Sequence, residues 1–192
     1  MKFYMKLQDW LAGPFSQKMQ KFMQNPYMHA LQVCFTIILP MIMVGSLASL
    51  VNTFRNFAPW LPDLSLINSF SFGLISIFMA FLIPYTIMES KKLQKQKMIT
   101  GFASVSALIA LANPQYVDGN LVINSGYVGT GGMTVAMVMG LVIGWLFSAY
   151  FKHGLFKKDS SLPSVVVVWF ESILIIFVLI LVCTVSYTHL TL

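Results

Sequence analysis

Nine consecutive residues, Glu89-Ser90-Lys91-Lys92-Leu93-Gln94-Lys95-Gln96-Lys97, stand between two long apolar runs and carry four lysines. Such a segment cannot sit in hydrocarbon, and short lysine-rich loops stay on the cytoplasmic side when a chain inserts into a membrane. The run ending at Met88 and the run starting at Met98 therefore both meet the cytosol here, and the other loops are counted outward from this one. Composition excludes a soluble globule: the chain is 57% hydrophobic and 9% charged, with a mean hydropathy of +0.77, whereas soluble domains carry roughly one-quarter charged residues. On a soluble chain the net charge of +6 would point to nucleic acid. Here the basic residues lie in loops between apolar runs, where they read as topology signals and contacts to anionic lipid, with no nucleic-acid partner.

Counting outward gives five spans, at residues 30–51, 70–88, 98–112, 133–151 and 164–185. The first is about 22 residues, enough to cross ~30 Å of hydrocarbon, and Pro40 is expected to kink it near its middle. The third is short, so it is expected to tilt little or to be shielded by its neighbours. With the N-terminus inside, the inner segments hold 11 of the 12 basic residues; the reverse orientation puts eleven outside. Residues 1–26 carry Phe3, Leu7, Trp10, Leu11, Phe15, Met19, Phe22 and Met23 at helical spacing, interrupted by Gly13-Pro14. They predict a pair of short amphipathic helices on the cytoplasmic membrane surface, with no cleavable signal peptide.

Residues 52–69, rich in aromatics and prolines, read as an outer loop resting at the interface. Asp118-Gly119-Asn120, between Gln115-Tyr116-Val117 and Leu121-Val122-Ile123, predicts a short β-hairpin in the second outer loop. The fold class is thus an all-α integral membrane protein: an amphipathic segment at 1–26, then a five-span region at 27–185. The final residues, 186–192, change character and have no basic anchor, so a truncated reading frame with a tail of doubtful origin is expected. Cys34 and Cys183 fall near opposite faces of the membrane, well beyond the roughly 7 Å between bridged Cα atoms, and are expected to be free thiols.

No catalytic constellation emerges. His29, His153 and His189 have no carboxylate or cysteine at ligand spacing, so neither a metal nor a cofactor is expected. His29 has two readings, a functional group at the mouth of span one or interfacial packing. The glycine-rich stretch 126–132 lacks the Lys-Ser/Thr of a phosphate-binding P-loop; Gly129 and Gly132 fit a closely packed start to span four. Gly140 and Gly144 form a G-x-x-x-G step that admits another helix, from a second subunit or from the same chain. Glu171 is an acidic group inside an apolar span. It is either functional or bonded within the bundle, because an intramembrane carboxylate costs about 2.5–3.5 kcal/mol on insertion scales.

Asn25-Pro26-x-x-x-Ala30-Leu31-x-x-x-Phe35-x-x-x-Leu39-Pro40-x-Ile42-Met43-Val44-Gly45-Ser46 resembles the first span of EIIC, the membrane subunit of sugar phosphotransferase systems of the lactose/cellobiose/diacetylchitobiose family. Gly129-Thr130-x-Gly132-Met133-x-x-Ala136 is similar to that family's approach to its fourth span, and Leu162-Pro163-x-x-Val166-x-x-x-Phe170 to its approach to the fifth. Ser164 and Ile175 depart from prolines usual there, which bears on the subfamily. The resemblance covers residues 1 to 185. It implies a permease of the bacterial cytoplasmic membrane that carries a disaccharide across and presents it to a cytoplasmic phosphoprotein, EIIB. It further implies a homodimer whose first five spans are scaffold, with the sugar pocket in later spans beyond residue 192. It assigns no catalytic or phosphorylated residue to this stretch, Cys34 and Cys183 included. Pro40, Gly45, Gly129, Gly132, Gly140, Gly144, Pro163 and Glu171 are the structural or functional candidates. A rival reading is a non-transporting five-span protein used for interaction or sensing.

Overall fold

A computed structural model describes residues 13, 15–112, 114–153 and 164–190. Pro163 and most of the amphipathic segment, including Phe3, Leu7, Trp10 and Leu11, lie outside the described residues. The helices are α1 (Ser16–Met23), α2 (Pro26–Arg55), α3 (Ser65–Ser71), α4 (Ile75–Ser90), α5 (Lys97–Leu111), α6 (Ser125–Val128), α7 (Met133–His153) and α8 (Ser164–Leu190). Single 3-10 turns, Phe72–Leu74 and Thr130–Gly132, join α3 to α4 and α6 to α7. Four stretches are long and apolar enough to cross a membrane: Pro26–Arg55, Ser65–Ser90, Thr130–His153 and Val166–Val185. The 15-residue α5 is apolar but shorter, about 22 Å at helical rise.

α2 starts where the sequence supplies both an N-cap and a pre-set first turn. Asn25 Oδ1 accepts from Tyr27 N at 3.0 Å, and Pro26 occupies the first turn, where its missing N–H costs nothing. The helix continues unbroken through Pro40, which is exposed. It also outlasts the predicted span: α2 runs to Arg55 and α3 begins at Ser65, so much of the predicted outer loop is helical. Side chains fasten the intervening turn. Leu64 N donates to Asn52 Oδ1 and Ser65 N to Asp63 Oδ1, both at 2.9 Å, and Arg55 pairs with Asp63 at 2.9 Å. Phe57 and Trp60 protrude there, 85% and 82% exposed, as expected of interfacial aromatics.

α4 is the central helix, with Met79, Ala80, Ile83, Ile87 and Met88 fully buried. α7 packs on it in a constant register: Ile83 meets Gly140, Ile87 meets Gly144 and Lys91 meets Ser148, one step of four on each helix. The two helices therefore run parallel. α5 runs antiparallel to α4, since Phe102 meets Phe81 with ring centroids 5.2 Å apart while Lys97 reaches back to Tyr85. α2 is also antiparallel to α4, with Gly45 against Phe72 and Tyr27 near Lys91. α8 closes the bundle through Ile175, Leu179 and Cys183, which join Ala103, Ala107, Phe147 and Phe151 in one cluster. Cys34 and Cys183 are both buried and free.

The outward faces of α2 and α8 are apolar: Met43, Leu47 and Leu50 on one, Trp169, Ile173 and Phe177 on the other, all more than half exposed. Contiguous apolar surface of this extent is what lipid covers and water does not. Between α5 and α6 the chain makes a two-stranded antiparallel ribbon, β1 (Gln115–Val117) and β2 (Asn120–Val122), paired Gln115↔Val122, Tyr116↔Leu121 and Val117↔Asn120. Its turn is the two residues Asp118 (φ 50°) and Gly119 (φ 79°), the left-handed pair that a tight hairpin demands. Asn120 thus belongs to the strand, and the pairing is one residue tighter than the sequence reading.

Candidate functional site at the lysine end of the bundle

The four-lysine stretch is an ordered structure. α4 ends in a double cap: Lys92 N donates to Glu89 O at 3.0 Å and Leu93 N to Met88 O at 2.9 Å. Those two bonds define a Schellman motif, which needs a left-handed residue after the helix. Lys92 fills that position at φ 62°. Leu93 then folds back against the buried cluster that contains Met88, Ala103 and Phe147, which fixes where the neighbouring lysines point.

Lys91 points inward. Its Nζ donates to Tyr27 Oη at 2.7 Å and to Ser148 Oγ at 2.8 Å, and lies 4.6 Å from the centroid of the Tyr27 ring. One ammonium thus ties the start of α2, the end of α4 and the last turns of α7. Ser148 is buried, and its hydroxyl donates to Trp145 O at 2.8 Å. Lys97 makes a second tie, pairing with Glu89 at 2.7 Å and sitting 4.7 Å over the Tyr85 ring. His29 Nδ1 lies 3.4 Å from Ser90 Oγ at the same end. Beside these ties is a recess lined by Lys91, Leu93, Trp145, Ser148, Lys152 and His153.

Ammonium groups and hydroxyls gathered at one end can hold or dock an anion. Among the described residues no group of three His, Cys, Asp or Glu could hold a metal.

The sequence candidates do not converge on this end. Gly140 and Gly144 are buried under α4; a Cβ would lie 2.9 Å from Ile83 Cβ or 2.5 Å from Ile87 Cδ1. The G-x-x-x-G step is therefore filled from within the chain, and the described surface leaves no room there for a second subunit. Gly132 and Gly129 lie toward the opposite end, where Ser76 Oγ donates to Gly129 O and a Cβ on Gly132 would collide with Tyr127 O. Gly45 is buried against Phe72. Glu171 is 7% exposed, and its backbone carbonyl accepts from Tyr150 Oη at 3.3 Å. Sequence reasoning missed Tyr27, Ser76, Pro84 and Ser148. Pro84 and Ser148 had a signal available: Ser148 continues the Gly140-Gly144 face by one more step of four, and Pro84 interrupts the predicted second span.

With the bundle and its lysine end defined, the comparison with known families is decisive. The family model described as phosphotransferase system, EIIC matches residues 32–189. The chain belongs to the EIIC family. No curated protein and no solved structure gives a significant match. As an EIIC, the chain is a multi-pass membrane component of a sugar phosphotransferase system.

Proposed function

We propose that this EIIC carries a disaccharide of the cellobiose, diacetylchitobiose or lactose type across the bacterial cytoplasmic membrane for phosphorylation by a cytoplasmic phospho-EIIB. The carrying observation is the family match over residues 32–189; the ordered motifs around Pro40, Gly129 and Pro163 favour the disaccharide branch. In this reading the segment is five-span scaffold, it contributes to a homodimer, and its N-terminus and lysine end face the cytosol. α5 is the third of the five spans, added to the four longer ones. The parallel register of α4 and α7 supports that count, because α5 must return the chain between two helices that run the same way. Neighbouring α4, α7 and α8 shield its short length. Lys91, Lys92, Lys95 and Lys97 then lie on the face where the phosphoryl donor docks.

The test is disaccharide phosphorylation by membranes from cells expressing the complete gene, with the soluble partner proteins and phosphoenolpyruvate supplied. Phosphorylation of at least one of the three sugar types is expected. Phosphorylation of none of them overturns the disaccharide reading.

A further inference from the structure

We propose that the recess beside Lys91 binds the phosphate headgroup of an anionic phospholipid whose acyl chains lie along α7. The recess has a volume of about 460 Å³, and Lys91, Lys152, Ser148 and His153 are among the residues that line it. Among the described residues neither lysine is ion-paired: the salt bridges there are Arg55–Asp63 and Lys97–Glu89, and Lys91 Nζ is held by the neutral hydroxyls of Tyr27 and Ser148. Two ammonium groups at one concavity, with no carboxylate among its described lining residues, favour an anion.

The adjoining surface says which anion. Val138, Val142 and Trp145 are 56%, 51% and 57% exposed, and with Ala149 and Lys152 they follow one another by four, three, four and three residues, a single face of α7. The face is apolar along its length and turns cationic at the recess. A free phosphate ion would use only the cationic end. A lipid phosphate uses both, with Trp145 at the interfacial level that tryptophan prefers. Basic pockets between helices at the membrane surface are suited to such headgroups. The inference rests on the membrane placement of α7 and is independent of which sugar is carried.

The experiment is native mass spectrometry of the purified full chain in a neutral detergent, supplemented with phosphatidylglycerol or phosphatidylcholine at equal concentration. Bound phosphatidylglycerol should exceed phosphatidylcholine by several-fold. Lys152→Gln should lower phosphatidylglycerol occupancy about fivefold, the worth of one cation at a lipid surface. Lys92→Gln, exposed and outside the recess, should leave it unchanged. Trp145→Ala should lower it too, which a headgroup-only site would not show. Equal binding of the two lipids, indifference to Lys152→Gln, or displacement by equimolar inorganic phosphate each overturns the proposal. A lipid-free dimer closed over the Val138–Trp145 face does so as well.

Discussion

Lys91 Nζ lies 2.8 Å from Ser148 Oγ, across an α4–α7 contact that spans 57 residues of sequence. The same nitrogen reaches Tyr27, so one side chain unites three helix ends. Removing it takes a donor from two hydroxyls, one of them on a buried serine, and hydrogen bonds to a charged group contribute about 1.5–3 kcal/mol each. Lys91→Ala should lower stability in detergent by about 2 kcal/mol, measured by thermal or denaturant unfolding. Lys91→Arg should recover part of the loss. Stability unchanged in Lys91→Ala would show that the three-way tie does not hold the bundle end.

Lys92 illustrates the opposite case, a lysine retained at a backbone position that suits glycine. At φ 62° a side chain costs about 1 kcal/mol that glycine avoids. Lys92→Gly is expected to raise stability by about 0.5–1 kcal/mol, whereas Lys92→Val should lower it because branching at Cβ aggravates the same clash.

The glycines of α7 and its approach should differ in tolerance. In Gly144→Ala the new methyl meets the flexible end of Ile87, 2.5 Å away, and overpacking of that kind costs about 1–3 kcal/mol. In Gly132→Ala the obstacle is the Tyr127 backbone carbonyl, which cannot swing aside. Gly132→Ala is expected to be the more damaging of the two, by yield of folded protein and by unfolding midpoint; the reverse order would mean that α6 is not seated against the start of α7.

Glu171 is buried on α8. Glu171→Gln keeps the size and hydrogen-bonding capacity and should fold normally, while Glu171→Ala should lose about 1–3 kcal/mol by leaving a polar neighbour without its partner. Equal expression and thermal stability of the two variants would remove the interior-pairing account.

The Ser65 amide, which donates to Asp63, holds that carboxyl below its ordinary value, with the Ser65 hydroxyl and Arg55 adding to the effect. A carboxyl depressed in the folded state contributes stability above its unfolded pKa and loses it as pH falls through the folded one. Protection of the Ser65 amide from hydrogen exchange should therefore fall as acid titrates Asp63. Asp63→Asn should flatten that dependence below the ordinary carboxylate pKa of about 3.9.

What was legible in the sequence was local. Apolar runs and a four-lysine gap revealed the helices and the end that gathers charge, because hydropathy depends on neighbours in sequence. Asp118-Gly119 revealed the hairpin, though Asn120 had to be seen paired with Val117 before the turn shrank to two residues. The G-x-x-x-G step announced close packing but not its partner, since Ile83 and Ile87 lie 57 residues upstream. Lys91 was indistinguishable from Lys92 in sequence. Only the Schellman cap turns one inward to Tyr27 and Ser148 and leaves the other exposed. The turn between Arg55 and Ser65 was hidden for a related reason: Asn52, Arg55 and Asp63 read as ordinary polar residues until the Leu64–Asn52 and Arg55–Asp63 bonds are seen.

The central claim, a five-span EIIC whose lysine end faces the cytosol, is tested most directly by single-cysteine labelling. Lys92→Cys and Tyr116→Cys place thiols at exposed sites at opposite ends of the bundle, while the native Cys34 and Cys183 are buried. A membrane-impermeant maleimide should label Tyr116→Cys in intact cells and Lys92→Cys only in inverted membranes. Labelling of both from the same side would mean that α5 does not cross, and would contradict the account.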